Sequence, residues 1–246
     1  MKNKSVIILF LSILILNICY SAYSDEFNFN VAELEITENG NIIEGINGGV
    51  INSKNDEITI TADNFKYNKL TTLLEAEGNV RLVDKVEDVI IESNQIFYLK
   101  NKEEIYTKGK SVAFNGSDIQ IDADQNFKYN RLTSVMEAKG NVKLDDKNEN
   151  VIIYTNEIFY FIKEEKIFTL GKTNIDFEDE YNMEGSDLTL LRNEKILSSK
   201  KNAIISDSES NTYKFEQFQY SIDKEILKGE NIIAITNDKK NKSDEF

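Results

Sequence analysis

Asn64-Phe-Lys-Tyr-Asn68 returns unchanged as Asn126-Phe-Lys-Tyr-Asn130, and the 47 residues from Asn64 to Lys110 align without a gap on Asn126 to Lys172, with 28 identities. A constant offset over that length marks an internal duplication, and such a period decides the architecture before any local propensity does. A half-period is visible inside it: Gly78, Gly109, Gly140 and Gly171 step by 31 residues, and Tyr67, Tyr98, Tyr129 and Tyr160 keep the same step. The chain reads as a stack of like units, each burying its apolar face against the next.

Within a unit, Ile60-x-Ala62 is followed after two residues by Phe65-x-Tyr67, and the spacing recurs at Ile91-x-Ser93 with Ile96-x-Tyr98 and at Ile153-x-Thr155 with Ile158-x-Tyr160. Alternation with a one-residue slip reads as a strand carrying a bulge. The second arm alternates without interruption through Leu74, Ala76, Gly78, Val80 and Leu82, and again through Met136, Ala138, Gly140, Val142 and Leu144. Short polar segments such as Asn68-Lys69, Asn130-Arg131, Asp84-Lys85 and Asp145-Asp146-Lys147 have turn composition. The fold class expected is therefore all-β, in stacked 31-residue two-arm units. Gly78, Gly109, Gly140 and Gly171 are expected to bend each second arm over a narrow interior, because glycine inside a strand otherwise only weakens it. The tyrosine rings are expected at the core edge with the hydroxyl in water. Leu34–Val50, Leu188–Ala203 and Phe218–Ile235 fit the pattern more weakly and read as degenerate terminal units.

Lys2 and Lys4 precede an apolar run from Val6 to Ile18, with Ser21, Ala22 and Ser24 after it. This is the pattern of a cleavable secretory signal peptide over residues 1–24, and the run is shorter than the roughly twenty residues a membrane span needs. It leaves residues 25–236 as one β domain and 237–246 as a polar tail, expected to be disordered. Cys19, the one cysteine, falls in the leader, so no disulfide is expected in the mature protein.

The whole chain has 29 basic and 43 acidic residues and no histidine; without Lys2 and Lys4 the balance is 27 against 43. Nucleic acid is a poor partner for such a surface. The absence of histidine removes the commonest general base and metal ligand, so neither catalysis nor a cofactor is expected. Asp146-x-Asn148-x-Asn150 imitates part of a calcium loop, but Val151 stands where the sharp turn needs glycine, so no metal site is assigned.

The phrases Ile60-Thr-Ala-Asp-Asn-Phe-Lys-Tyr67, Leu74-Glu-Ala-Glu-Gly-Asn-Val-Arg-Leu82 and Met136-Glu-Ala-Lys-Gly-Asn-Val-Lys-Leu144 resemble the OstA-like (organic solvent tolerance) domain family of lipopolysaccharide transport. The resemblance is good over about residues 57–175 and weaker to 235. That family includes the periplasmic bridge protein LptA and the start of the outer-membrane assembly protein LptD. The segment Phe27–Ile36, close behind the leader, looks more like the opening of LptD.

The resemblance implies an elongated open β-jellyroll of taco shape in the periplasm, whose apolar groove shelters lipid A acyl chains of lipopolysaccharide. It also implies partners: other periplasmic jellyroll proteins joined by β-strand augmentation and, if the chain continues into a barrel, an outer-membrane barrel with its lipoprotein plug. From the alternation alone, the groove would be lined by Ile60, Phe65, Leu74, Ala76, Val80, Leu82, Ile91, Ile96, Phe127, Met136, Val142, Leu144, Ile153, Ile158 and Ile167. The competing reading of the same residues is a structural or adhesive β-solenoid whose core they fill themselves.

Overall fold

A computed structural model of the chain describes residues 26–55, 57–177 and 181–236. The expected leader and polar tail lie outside the described residues.

The chain forms strands β1 (Phe27–Thr37), β2 (Ile42–Ser53), β3 (Ile58–Ala62), β4 (Asn64–Asn68), β5 (Leu73–Asp84), β6 (Val89–Leu99), β7 (Glu104–Thr107), β8 (Ser111–Asn115), β9 (Ile119–Ala123), β10 (Asn126–Asn130) and β11 (Val135–Asp146). They continue with β12 (Val151–Phe161), β13 (Lys166–Phe177), β14 (Tyr181–Ser186), β15 (Thr189–Leu191), β16 (Ile196–Ser199), β17 (Ala203–Asp207), β18 (Thr212–Phe215), β19 (Gln217–Ser221), β20 (Ile226–Glu230) and β21 (Ile233–Ile235). Three single 3-10 turns are the only helical elements among the described residues.

Every pairing is antiparallel, and the pairings sort into two sheets that share the long strands. β4 pairs with the first halves of β2 and β5, and β3 with their complementary halves. The same division recurs where β7 and β8 pair with opposite halves of β6, and where β15 and β14 pair with opposite halves of β13. Each crossing of the molecule thus runs down one sheet, bends, and continues in the other. One sheet ends on β16, β19 and β20, and its companion on β17, β18 and β21. Among the described residues, fourteen such rungs at about 4.8 Å spacing make a folded-over double sheet roughly 60 Å long. A 31-residue unit is two rungs, out and back.

The bend has a local cause. β5 and β11 shift register between Glu77 and Val80 and between Lys139 and Val142, at the pairs Gly78-Asn79 and Gly140-Asn141. Gly78, Gly109, Gly140 and Gly171 have φ of +81°, +78°, +86° and +81°, a region that costs other L-residues. In β5 and β11 two positive-φ residues stand together at the bend, Gly78-Asn79 and Gly140-Asn141, whereas Gly171 stands alone within β13 and Gly109 falls between β7 and β8; the inward parity resumes beyond each. The first arms differ among themselves. The Ile60–Tyr67 stretch divides into β3 and β4 at Asp63, whereas Ile91–Tyr98 lies within continuous β6.

The far ends of the rungs are turns, and these are tied to one another. The backbone N–H of Lys69, Lys100, Arg131, Ile162, Arg192 and Ile222 donates to the carbonyl of Asn41, Thr72, Glu103, Ser134, Glu165 and Lys195, at 2.8–3.0 Å. The period seen in the sequence is thus a hydrogen-bonded column of turns along one hem of the stack.

Candidate functional site

The fifteen side chains read as groove lining all point between the two sheets, and each is 0–3% exposed. They join one buried apolar cluster that runs from Phe27 to Phe218. A channel wide enough for a fatty chain would leave them accessible to water, so along the middle of the stack the interior is closed around its own side chains. Tyr98, Tyr129 and Tyr160 are 0% exposed. Their hydroxyls do not reach water, contrary to the sequence expectation; they donate to Glu103 Oε2 (2.6 Å), Asp84 Oδ2 (3.1 Å) and Asn115 Oδ1 (3.0 Å). The neighbouring turns cover the ring edges.

What closes the hem is a pair of arginine clasps that sequence reading missed. Arg131, on the turn between β10 and β11, donates from Nε to Asp84 Oδ2 at 2.6 Å and from Nη2 to Glu57 Oε2 at 3.2 Å, and its Nη1 meets the Glu103 carboxylate. Asp84 and Glu57 stand at the far end of one sheet, Arg131 and Glu103 at the far end of the other, so the guanidinium bridges the two lips. Arg192, on the turn between β15 and β16, repeats this. Its Nε reaches Asp146 Oδ2 at 2.6 Å, its Nη2 reaches Asp118 Oδ2 at 2.7 Å, and its Nη1 meets Glu165. Asp84 and Asp146 are 0% exposed, and the planar guanidinium fork suits several carboxylates at once. Asp146, which opens the calcium-loop imitation, is thus committed to Arg192.

Electrostatics follow the geometry. Burial works to raise the Glu103 carboxyl, but hydrogen bonds from Lys100, Tyr98 and Arg131 outweigh it and hold the group below the ordinary glutamate range. Burial would lower the Arg131 and Arg192 guanidinium groups, yet the hydrogen bonds they donate, Arg131 to Asp84 and Glu103 and Arg192 to Asp146 and Asp118, hold both above their usual value. Burial pushes the Tyr160 hydroxyl up to about 12.

The clasps stop before the C-terminal end, and there the two sheets part. Between them lies a cavity of about 390 Å³ lined by Phe177, Tyr181, Met183, Ile205, Asp207, Tyr213, Phe215, Tyr220, Glu225, Leu227 and Ile232. It opens from the end of the apolar core, since Phe177, Met183, Ile205 and Phe215 belong to the buried cluster. A larger hollow of about 710 Å³ involves Phe168, Ser198, Gln219 and Lys228. Of its lining residues only Phe218 belongs to the buried apolar cluster, and most of the others are polar. The C-terminal mouth is therefore the candidate site, and none of the fifteen predicted groove residues lines it.

No protein-family model and no curated protein matches this sequence. Among solved structures, similarity is found to LptH, the LptA homologous periplasmic component of the conserved lipopolysaccharide transport device from Pseudomonas aeruginosa. The two are 10% identical, the match covers 73% of this chain and 94% of that one, and the TM-score is 0.21. At that score the likeness carries no argument; the all-β, folded-over architecture rests on the strand pairing itself.

Proposed function

We propose that the protein is a non-enzymatic periplasmic module of the lipopolysaccharide-transport type, which receives acyl chains at its C-terminal mouth and joins other jellyroll domains through its terminal strands. The observation that carries this reading is the mouth: the apolar interior opens at the C-terminal end, beside the sheet edge formed by β20 and β21, in a chain with the repeated OstA-like phrases. Each acyl methylene withdrawn from water there contributes about 0.8 kcal/mol. Headgroups stay outside, because a surface this acidic repels anionic groups within roughly 8 Å at physiological salt. Terminal strands with unpaired amides recruit further strands. β1 presents Leu34 and Ile36 at 49% and 59% exposure, and β21 presents Ile233 and Ile235 at 59% and 51%.

A second reading, a structural β-solenoid, is favoured by the sealed middle of the stack. Photo-crosslinking with purified lipopolysaccharide separates the two. Probes replacing Phe215 or Leu227 should capture lipid well above probes replacing Lys66 or Arg81 on the outer face, while probes replacing Leu82 or Leu144 in the sealed interior should capture little. Equal capture at mouth and outer face would favour the solenoid.

A further inference from the structure

One difference between the two copies of the internal duplication falls on the outer face, midway along the stack. On the sheet that contains β9 and β14, strands β11, β12 and β13 set Lys143, Tyr154 and Asn174 side by side, each directly opposite the next. In the first copy, 62 residues earlier, the same row is Arg81, Glu92 and Val112. There Arg81 Nη1 and Glu92 Oε1 pair at 3.0 Å, and the valine adds no polar atom. The second copy replaces the acid by an aromatic ring and the valine by an amide.

Tyr154 is 43% exposed, so a ring with a large apolar face is turned to solvent. It borders an open cavity of about 410 Å³, whose other lining residues are Asn141, Val142, Thr155, Lys172 and Asn174. The Asn174 side-chain oxygen is buried and accepts no hydrogen bond among the described residues, a state that few buried polar atoms keep. The last torsion of an asparagine is soft, so this oxygen can turn into the cavity without giving up a bond. Asn141 Nδ2 donates to Asp124 Oδ2 at 3.1 Å, which leaves the Asn141 side-chain oxygen as a further acceptor. Charge is balanced here: Lys172 Nζ lies 3.6 Å from Glu184 Oε2, and Lys143 Nζ lies 3.6 Å from Asp145 Oδ2.

We infer that this patch is a binding site for a neutral saccharide, with one sugar ring lying on Tyr154 and its hydroxyls held by the Asn174 and Asn141 amides. A sugar ring presents C–H bonds on one face and hydroxyls at its edge, which matches an aromatic platform rimmed by amides. Its hydroxyls can donate to the Asn174 oxygen and accept from the Asn174 and Lys172 N–H groups. A purely aliphatic ligand would leave those polar groups unpaired, and an anion would meet Glu184 and Asp145 beside the lysines. The volume lies in the range of small-molecule sites. All the lining residues belong to β11, β12 and β13. The site therefore uses neither the mouth nor the terminal strands, and the inference goes beyond the transport reading without depending on it.

Isothermal titration calorimetry of the full mature chain with cellotetraose and with chitotetraose is the test, the second probe adding an acetamido group to the hydroxyls of the first. At least one should bind with one site per chain. Tyr154→Ala and Asn174→Ala should each weaken that binding about tenfold, whereas Tyr154→Phe, which keeps the ring face, should stay within about twofold. Tyr154→Glu combined with Asn174→Val gives the second copy the residues of the first. That variant should keep the wild-type urea midpoint and lose binding. Absence of heat from either probe at about 10 mM would overturn the site. Binding that survives unchanged in the double variant would place the sugar elsewhere and overturn it as well. Tighter binding of trigalacturonic acid than of both neutral probes would overturn the assignment to a neutral ligand.

Discussion

Arg131 and Asp84 are 47 residues apart in sequence and 2.6 Å apart in space, one on each lip of the folded sheet. Arg192 and Asp146 repeat the relationship at 2.6 Å across 46 residues. Two distant turns are thereby held together at a site where Asp84 and Asp146 have no contact with water. The clasp, more than the apolar interior, decides whether the cross-section is a trough or a tube.

A buried carboxylate deprived of its cation is costly, so Arg131→Ala should destabilise the protein by about 3–5 kcal/mol. Replacing both partners, Arg131→Met with Asp84→Leu, should recover most of that loss, because an apolar pair leaves no unpaired charge. Urea unfolding midpoints of the two variants measure the difference. A double variant no better than the single one would place the stabilisation elsewhere.

The clasp should also make stability depend on pH at both extremes. Glu103 is held below its ordinary value, so its contribution is complete above the unfolded value of about 4.3 and is lost as pH falls through the folded one. Tyr160 is raised to about 12, so its contribution is complete below the unfolded value of about 10 and is lost as pH rises from there through about 12. Unfolding midpoints against pH should fall at both ends; Glu103→Gln should flatten the acid limb and Tyr160→Phe the alkaline one.

Two bend glycines with nearly the same φ should differ in their tolerance of a methyl group. At Gly78 a Cβ would collide with the Asp63 side chain, 2.8 Å from its Cβ, whereas at Gly109 it would meet nothing within 4 Å. Gly109→Ala should cost the left-handed strain alone, about 1–2 kcal/mol. Gly78→Ala should cost measurably more in the same unfolding assay.

The exposed edge should matter for association and not for folding. Ile233→Lys with Ile235→Lys places charge on strand β21, where both side chains are more than half exposed. Thermal stability should change by no more than about 0.5 kcal/mol for each change. Binding of a synthetic β-strand peptide that adds to that edge, read by fluorescence anisotropy, should be lost.

The repeat in the sequence determined the strand content, the two-rung unit, the inward set and the bend positions. Side chains with a period of two and glycines with a period of 31 can satisfy backbone and burial in one way, a stacked antiparallel sheet that folds over at the glycines. Asp84, Glu103, Arg131 and their second-copy counterparts were visible too, but only as polar turn residues, since turns carry such residues whether or not they pair. A signal was present in the shared offsets: Asp84 to Asp146 and Glu103 to Glu165 are both 62 residues, and Arg131 to Arg192 is 61.

Whether the inward residues line an open groove or fill a closed core could not be read from alternation, because both arrangements need the same apolar pattern. Tertiary structure decided it through the distance between the two hems. Beside Arg131 and Arg192, which span that distance, the inward side chains are buried, and beyond them a cavity lies among Phe177, Met183, Ile205 and Phe215. Contacts between turns some 46 to 74 residues apart depend on how far the sheets lean together, a property of the whole stack and of no single segment.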